Sequence, residues 1–371
     1  MDTKDRIVPH RSRSTLFNLN NKVEQESFSA LTADASVWCD EGEELFVSQE
    51  RELFEIRNPY LSLPEEVEKG FLEFKKARDA ECEVRKRGRW VYYPWLRKAV
   101  HILDDAEFFE VRTARNKNLI NVTEQKAFYD ATVCVAGLSV GGSVALAVVR
   151  LGGARRMKLA DMDVLALSNT NRLPGGVADL GLPKIELIAR QIFEINPYAE
   201  LQLFPEGLTE ENLDEFCVDT HPASVLIDEM DSLVMKCRLR EHARRLRIPV
   251  VMGTDVASGA VVDVERYDRD PQPAFFHGRM GKVTVETLSS ISKKETGALI
   301  GTHVGEENHT PRMLESLSLL GTLLTSWPQL YSAALLNASI IATFVLRIVN
   351  NQEVKDGRVV VSLDVKSERF L

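Results

Sequence analysis

The residues best placed to do chemistry lie between Ala131 and Asp231. A short apolar run, Val133-Cys134-Val135, enters the turn Gly137-Leu138-Ser139-Val140-Gly141-Gly142, and an Ala/Val/Leu-rich segment of helical length follows. A second apolar run, Met157 to Ala160, ends on Asp161. Glycines let backbone approach phosphate closely, and a helix N-terminus offers unpaired N–H groups and a positive dipole. An acid about 20 residues further on can hold ribose hydroxyls. The pattern predicts a nucleotide-binding βαβ unit with Gly137, Ser139, Gly141, Gly142 and Asp161 around the ligand. Lys184 follows Pro183 at a helix start, where a cation opposes the helix dipole. A lysine placed against its local electrostatics is expected to face a ligand.

The following segments narrow the chemistry. Ser168-Asn169-Thr170-Asn171-Arg172, Gly181-Leu182-Pro183-Lys184, Ile195-Asn196-Pro197 and the strand-end run Ile227-Asp228-Glu229-Met230-Asp231 come in succession. With the glycine turn and Asp161-Met162-Asp163, their order and spacing resemble the ThiF/MoeB/HesA adenylyltransferases, relatives of ubiquitin-activating enzymes. The resemblance runs well from Arg112 to Asp263 and loosely through the C-terminal helix. It is closest to bacterial ThiF-like proteins of molybdopterin-biosynthesis type, some of which are fused to a nitroreductase domain.

This resemblance implies ATP-dependent adenylation of a carboxylate, giving acyl-AMP and pyrophosphate before transfer to an acceptor. Asp161 then holds ribose, Asn169 and Arg172 contact the nucleotide, and Lys184 neutralises triphosphate. Asp231, with Asp228 beside it, organises Mg²⁺, which needs only one or two carboxylates besides substrate phosphates. Asp163 is expected to be a turn or capping residue. Arg112-Thr113-Ala114-Arg115 resembles the family's Arg-x-x-Arg, so Arg115 is the candidate arm reaching a homodimer partner's site. The substrate so implied is the C-terminus of a ubiquitin-like protein or a peptide. Departures are Ser139 and Val140 for two glycines, Leu173-Pro174 for a glutamine, Ser232 for an asparagine and Lys236 for an arginine.

The elements that must position these residues alternate regularly. Strands are expected at Thr132–Ala136, Met157–Ala160, Leu201–Phe204, Val225–Asp228 and Pro249–Gly253, with helices at Gly142–Leu151, Pro183–Ile195, Thr209–Cys217 and Leu233–Leu246. Such alternation demands a mostly parallel, Rossmann-like sheet covered on both faces. Val261–Tyr267 and Arg358–Leu363 read as an antiparallel extension. The stretch of about 280–315, rich in Ser, Thr, Gly and His, reads as a mobile crossover loop, with His303 and His309 solvated. Residues 1–106 form a separate, mainly helical region of unassigned fold that could bind substrate or partner, and 107–371 the adenylation domain.

Composition bounds the rest. The 371 residues, 44% apolar, suffice for a sizeable core, and a net charge of -9 argues against a nucleic-acid binder. Five scattered cysteines without a CxxC pair argue against a disulfide framework and a four-cysteine zinc site. The N-terminus lacks an apolar signal core, so a cytoplasmic protein is expected. Leu330 to Val349 is nearly membrane-length, but Asn337, Ser339 and Arg347 interrupt it, and a buried helix is expected. Two other readings use the same residues. An NAD-dependent oxidoreductase accounts for the glycine turn and Asp161 but leaves Asn169, Arg172, Lys184 and Asp231 idle. A non-catalytic scaffold or heterodimer partner is suggested by Ser139, Leu173 and Ser232.

Overall fold

The computed structural model describes residues 6–39 and 42–363. Two compact units divide the chain: Val8–Gln125 with Phe193–Tyr198, and Lys126–Ile192 with Ala199–Leu371 and Met1–Ile7. The first contains β1 (Thr15–Phe17), α1 (Lys22–Thr32), β2 (Trp38–Cys39), α2 (Glu44–Arg57), α3 (Pro64–Glu81), β3 (Arg89–Tyr93), β4 (Lys98–Ile102) and α4 (Asp105–Arg112). Helix dominates it, and α3 starts with Pro64 at its first turn beside Glu65 and Glu66, where the dipole favours acids. The aromatic run of β3 adds a four-stranded sheet in the order β1-β3-β4-β2. Fully buried His101 stacks between Phe46 and Trp90, with ring centroids 3.8 and 4.5 Å away.

The division falls within α5 (Val122–Asp130), beyond residue 106 where the composition changes. The second unit continues with β5 (Thr132–Ala136), α6 (Val140–Arg150), β6 (Arg156–Ala160), α7 (Lys184–Ile195), β7 (Glu200–Phe204), α8 (Leu213–Val218), β8 (Val225–Asp228) and α9 (Leu233–Leu246). Then come β9 (Val250–Val256), β10 (Gly259–Glu265), α10 (Val285–Ser289), α11 (Lys293–Val304), α12 (Pro311–Leu319), α13 (Tyr331–Val349) and β11 (Gly357–Val361). The seven-stranded sheet runs β11-β10-β9-β8-β5-β6-β7. Its centre from β9 to β7 is parallel, and β10 and β11 extend it antiparallel.

Every residue of β5 is buried, as a parallel strand covered on both faces requires. Cys134 and Leu226 meet Phe216 of α8 and Leu239 of α9 on one face. On the other, α13 packs on α6, β9 and β10. The buried residues of α13 (among them Ala334, Asn337, Ala338, Ile341 and Val345) form one helical stripe. By length and composition alone α13 is long and apolar enough to cross a membrane, but its stripe lies against α6 and the sheet.

The expected crossover loop is largely helical. Ser292 Oγ accepts from the Glu295 N–H at 3.3 Å while the Glu295 carboxylate accepts from the Ser292 N–H at 2.7 Å, a capping box that starts α11. Thr310 caps α12 with Pro311 in its first turn. Composition hid these helices because the small polar residues are their caps.

Truncating a fully buried branched side chain under α13 tests this packing. Ile341→Ala should lower unfolding free energy by about 2–5 kcal/mol, read from the midpoint of urea denaturation; an unchanged midpoint contradicts the packing.

Candidate functional site

The glycine turn follows β5. Gly137 has φ +86°, and a Cβ there would collide with the carbonyl of Glu229, so only glycine allows the end of β8 to come this close. A Cβ on Gly142 would lie 2.8 Å from Ile188 Cδ1 of α7, so this glycine serves helix packing. A Cβ on Gly141 would lie 3.0 Å from Val135 and 3.2 Å from the Glu229 side chain. Ser139 and Val140, at the start of α6, face an open cavity of about 300 Å³. Asp161, expected at ribose, braces the turn: its carboxylate accepts the Leu138 N–H at 2.6 Å and the Asp163 N–H at 2.8 Å. Burial pushes its pKa up, and the two N–H bonds oppose the shift.

Lys184 reaches this turn. Its buried Nζ donates to Asp163 Oδ2 at 2.7 Å and Ser139 Oγ at 3.2 Å. Asp163 is therefore the ion-pair partner that tethers Lys184, a larger role than the turn residue expected. The departure Ser139 has a use as well, since its hydroxyl accepts from the lysine. Asn169 Oδ1 accepts from the Ala166 N–H at 3.1 Å and closes the 3-10 turn Leu167–Asn169. Arg172 lines the cavity, with Nη1 donating to Asn171 Oδ1 at 2.9 Å. Asn171 in turn donates to the Gln329 carbonyl at 2.9 Å. Leu173, in place of the glutamine, is buried with Leu165 and Leu187.

The end of β8 separates its two aspartates. Asp231 is exposed and lines the cavity. Asp228 is fully buried, contacted by Arg240 Nη1 at 2.5 Å and Lys236 Nζ at 3.1 Å. Burial opposes its ionisation, but these two cations win and hold its pKa below the ordinary value. Asp228 is thus spent on structure, which corrects its expected place beside a metal. Arg240, also fully buried, bonds Glu265 at 2.7 Å. Glu265 further accepts from Tyr267 Oη at 2.7 Å and the Phe276 N–H at 2.8 Å. Ser232, in place of asparagine, caps α9 by accepting from the Met235 N–H at 3.3 Å.

Sequence reasoning missed two further acids on the cavity. Glu229 accepts the Gly253 N–H at 2.7 Å, and burial pushes its carboxyl up to about 8. Asp255 accepts from Asn337 Nδ2 at 2.5 Å and more loosely from Gln329 Nε2 at 3.4 Å. Glu229 stands between two acids of the strand-end motif, which was its only sequence signal; Asp255 had none. The expectation of a solvated His303 is overturned. It is 2% exposed and meets Asp263 Oδ2 at 3.0 Å, which Arg358 also binds at 2.8 Å. Cys134, Cys217 and Cys237 are buried thiols, the last two pushed up to about 12 by burial. Among the described residues no group of three or more His, Cys, Asp or Glu could hold a metal. The structure thus gathers Ser139, Arg172 and Asp231 on one cavity and ties Lys184 to it through Ser139. Arg115 is exposed in the 3-10 turn Ala114–Asn116, which belongs to the other unit.

Comparison with known proteins matches the model described as the ThiF family over residues 113–361. An uncharacterized protein of Mycobacterium tuberculosis is 36% identical over 282 residues, covering 76% of this chain and 39% of that protein. The tRNA threonylcarbamoyladenosine dehydratase of Escherichia coli is 32% identical over 161 residues, covering 41% of this chain and 59% of that enzyme. The chain thus spans under two thirds of these relatives' own lengths. The E. coli dehydratase in complex with ATP superposes with a TM-score of 0.47 at 22% identity, over 67% of this chain and 96% of that one. The expected kinship to nitroreductase fusions is not borne out.

Two predictions follow from the buried charges. Arg240→Ala strands Asp228 and Glu265 without their cation and should cost about 3–5 kcal/mol, measured by urea denaturation; a loss below about 1 kcal/mol would refute that weight. Burial opposes ionisation of Asp263, yet His303 and Arg358 hold its pKa down at about 2. A depressed carboxyl contributes stability that is present above its ordinary 3.8 and lost as pH falls toward about 2. The acid-induced loss of stability across that window should shrink in Asp263→Asn, and parallel pH curves for the two proteins would exclude this source.

Proposed function

The chain belongs to the ThiF family, and on that premise we propose that it uses ATP to adenylate a carboxylate, releasing pyrophosphate and leaving acyl-AMP for an acceptor. One observation carries the reading: Arg172, Asp231 and the first residues of α6 line a single cavity, with Lys184 fixed against Ser139 on its wall. Adenylation joins two anions, a carboxylate and the α-phosphate, so its catalysis is positioning and charge neutralisation. Helix N–H groups, Arg172 and Lys184 supply donors and positive charge without rearrangement. The guanidinium of Arg172 can bond two phosphate oxygens at once and never loses its charge. A carboxylate nucleophile is already ionised near neutral pH, so no general base is needed for this step.

Asp231 supports the Mg²⁺ assignment alone, since Asp228 is neutralised by Lys236 and Arg240. Mg²⁺ commonly takes one or two carboxylates and completes its shell with water and substrate phosphates. One exposed acid fits that mode, in which the metal arrives with the nucleotide. Asp161 takes ribose by its remaining lone pairs while bracing the turn, and Asn169 holds the loop that carries Arg172.

The carboxylate belongs to the C-terminus of a peptide or ubiquitin-like protein. The relative named for tRNA threonylcarbamoyladenosine supplies a second class, a carboxylate borne on RNA. The chain works as a homodimer in which Arg115 completes the partner's nucleotide site. Ser139, Leu173 and Ser232 each have a structural use here, so these departures give no support to an inactive scaffold.

Carboxylate-dependent exchange of radiolabelled pyrophosphate into ATP should be detectable and require Mg²⁺. Lys184→Ala, Arg172→Ala and Asp231→Asn should each reduce it about 10²–10³-fold. Full exchange in all three variants, or binding of NAD in preference to ATP, would refute the reading. For the dimer, mixing Arg115→Ala with Asp231→Asn subunits should restore part of the exchange that either lacks alone; no recovery would remove Arg115 from the partner's site.

A further inference from the structure

The buried stripe of α13 is aliphatic except at Asn337. This residue is fully buried, and its Oδ1 has no hydrogen-bond partner among the described residues, a cost that an aliphatic side chain would avoid. Its amide donates to Asp255 Oδ1 at 2.5 Å. From Asp255 a chain of contacts runs to the loop that carries Arg172. Gln329 Nε2 donates to Asp255 Oδ2 at 3.4 Å, Asn171 Nδ2 to the Gln329 carbonyl at 2.9 Å, and Arg172 Nη1 to Asn171 Oδ1 at 2.9 Å. We propose that Asn171 and Asp255 are positioning residues for Arg172, the first holding its guanidinium by hydrogen bond and the second anchoring that hold to α13. The inference rests on the adenylation reading and goes beyond it by assigning what places the phosphate-binding cation.

Strand β9 is shaped for this anchor. Gly253 and Asp255 are two residues apart on it, so both face the side on which α13 packs. A Cβ on Gly253 would lie 2.9 Å from Asn337 Oδ1, so the glycine lets Asn337 come close enough to reach Asp255. Arg172 is otherwise lightly held. Its Nε is buried without a partner among the described residues, and its Nη1 also reaches the Ser168 carbonyl of its own loop at 3.3 Å. Of these contacts, the one to Asn171 is tied beyond the loop, at Gln329.

Charge gives Asp255 a second hold on Arg172. Both line the same cavity, and the charge of Arg172 opposes the burial that pushes the Asp255 carboxyl up. The donors Asn337 and Gln329 are neutral amides, so the attraction of Arg172 is the compensation that charge offers. A carboxylate 5% exposed on such terms is a poor choice for stability, since a neutral residue of the same size buries at lower cost. Its use is directional: the guanidinium is drawn toward β9 and the cavity they share. Rates are sensitive to such placement, and a displacement of about 1 Å in a positioning group can cost about 10²-fold.

The test is a mutant cycle on carboxylate-dependent exchange of radiolabelled pyrophosphate, read as kcat at saturating ATP. Asn171→Ala and Asp255→Asn should each lower kcat about tenfold or more. In an Arg172→Ala background neither should lower what remains by more than about twofold, because both act through the guanidinium. Urea denaturation separates this from a structural role. Asn171 is exposed, so its truncation should leave the midpoint unchanged. Asp255→Asn keeps an acceptor for Asn337 but removes a buried charge, so it should hold or raise the midpoint. Full kcat in both variants, losses that match a lowered midpoint, or losses undiminished without Arg172 overturn the inference and leave adenylation standing. A wild-type protein that exchanges pyrophosphate with no carboxylate, peptide or RNA-borne, sinks the adenylation reading and this inference with it.

Discussion

The fully buried Arg240 is the interaction on which the rest of the site depends. Its guanidinium bonds Asp228 at the end of β8 and Glu265 at the end of β10, with Phe276 packed on its face 4.0 Å from the ring centroid. A cation with no exposure is costly unless charge and geometry are both satisfied, and arginine's planar fork can satisfy two acids in fixed directions. The consequence is positional. With Asp228 and Glu265 tied to one group, the strand ends around the cavity cannot splay, and the three residues after Asp228 must turn outward. Asp231 therefore stands in solvent at the cavity while its neighbour is locked in the core. Two acids three residues apart acquire opposite roles because only one is within reach of Arg240 and Lys236.

The glycine turn depends on the same strand end. The carbonyl of Glu229 occupies the space where any side chain at position 137 would sit, so β8 and the start of α6 are pressed together. That pressure brings the unpaired N–H groups of the helix start beside Asp231 and Arg172 on the cavity. Lys184 opens α7 against that helix's own dipole, and Asp163 offsets the penalty at 2.7 Å. The pair holds the ammonium against Ser139 Oγ, 3.2 Å away.

Much of this frame was legible in the residues. Thr132–Ala136, Val225–Asp228 and Leu233–Leu246 are observed with the boundaries expected, because continuous apolar runs and a 3.6-residue period leave few alternatives. The residues brought to the cavity, Ser139, Arg172 and Asp231, were also legible, since motif spacing survives without knowledge of packing. What was not legible depended on distant partners. Nothing local distinguishes Asp228 from Asp231; the difference comes from Arg240, twelve residues beyond Asp228 on the next helix. His303 looked solvated because its neighbours in sequence are polar, and its burial is decided by Asp263 and Arg358 on strands far from it in the chain. The crossover helices have a local signal in Ser292-x-x-Glu295 and Thr310-Pro311, but serine and threonine are as common in loops as in caps, so composition masks it.

The end of that crossover is moored to the sheet by a charged cluster. Arg358 on β11 bonds Asp263 of β10 through both ends of its fork and donates to the carbonyls of His303 and Val304 at 2.6 and 3.1 Å. Those carbonyls are the last of α11, where a cation both satisfies unpaired acceptors and complements the helix dipole. His303 closes the group against Asp263. The antiparallel extension β10–β11 therefore does more than widen the sheet: it carries the acid and the arginine that moor the end of α11. Ile300 lies one helical turn before that mooring and packs on Val256 and Val261, so its place is set by the sheet.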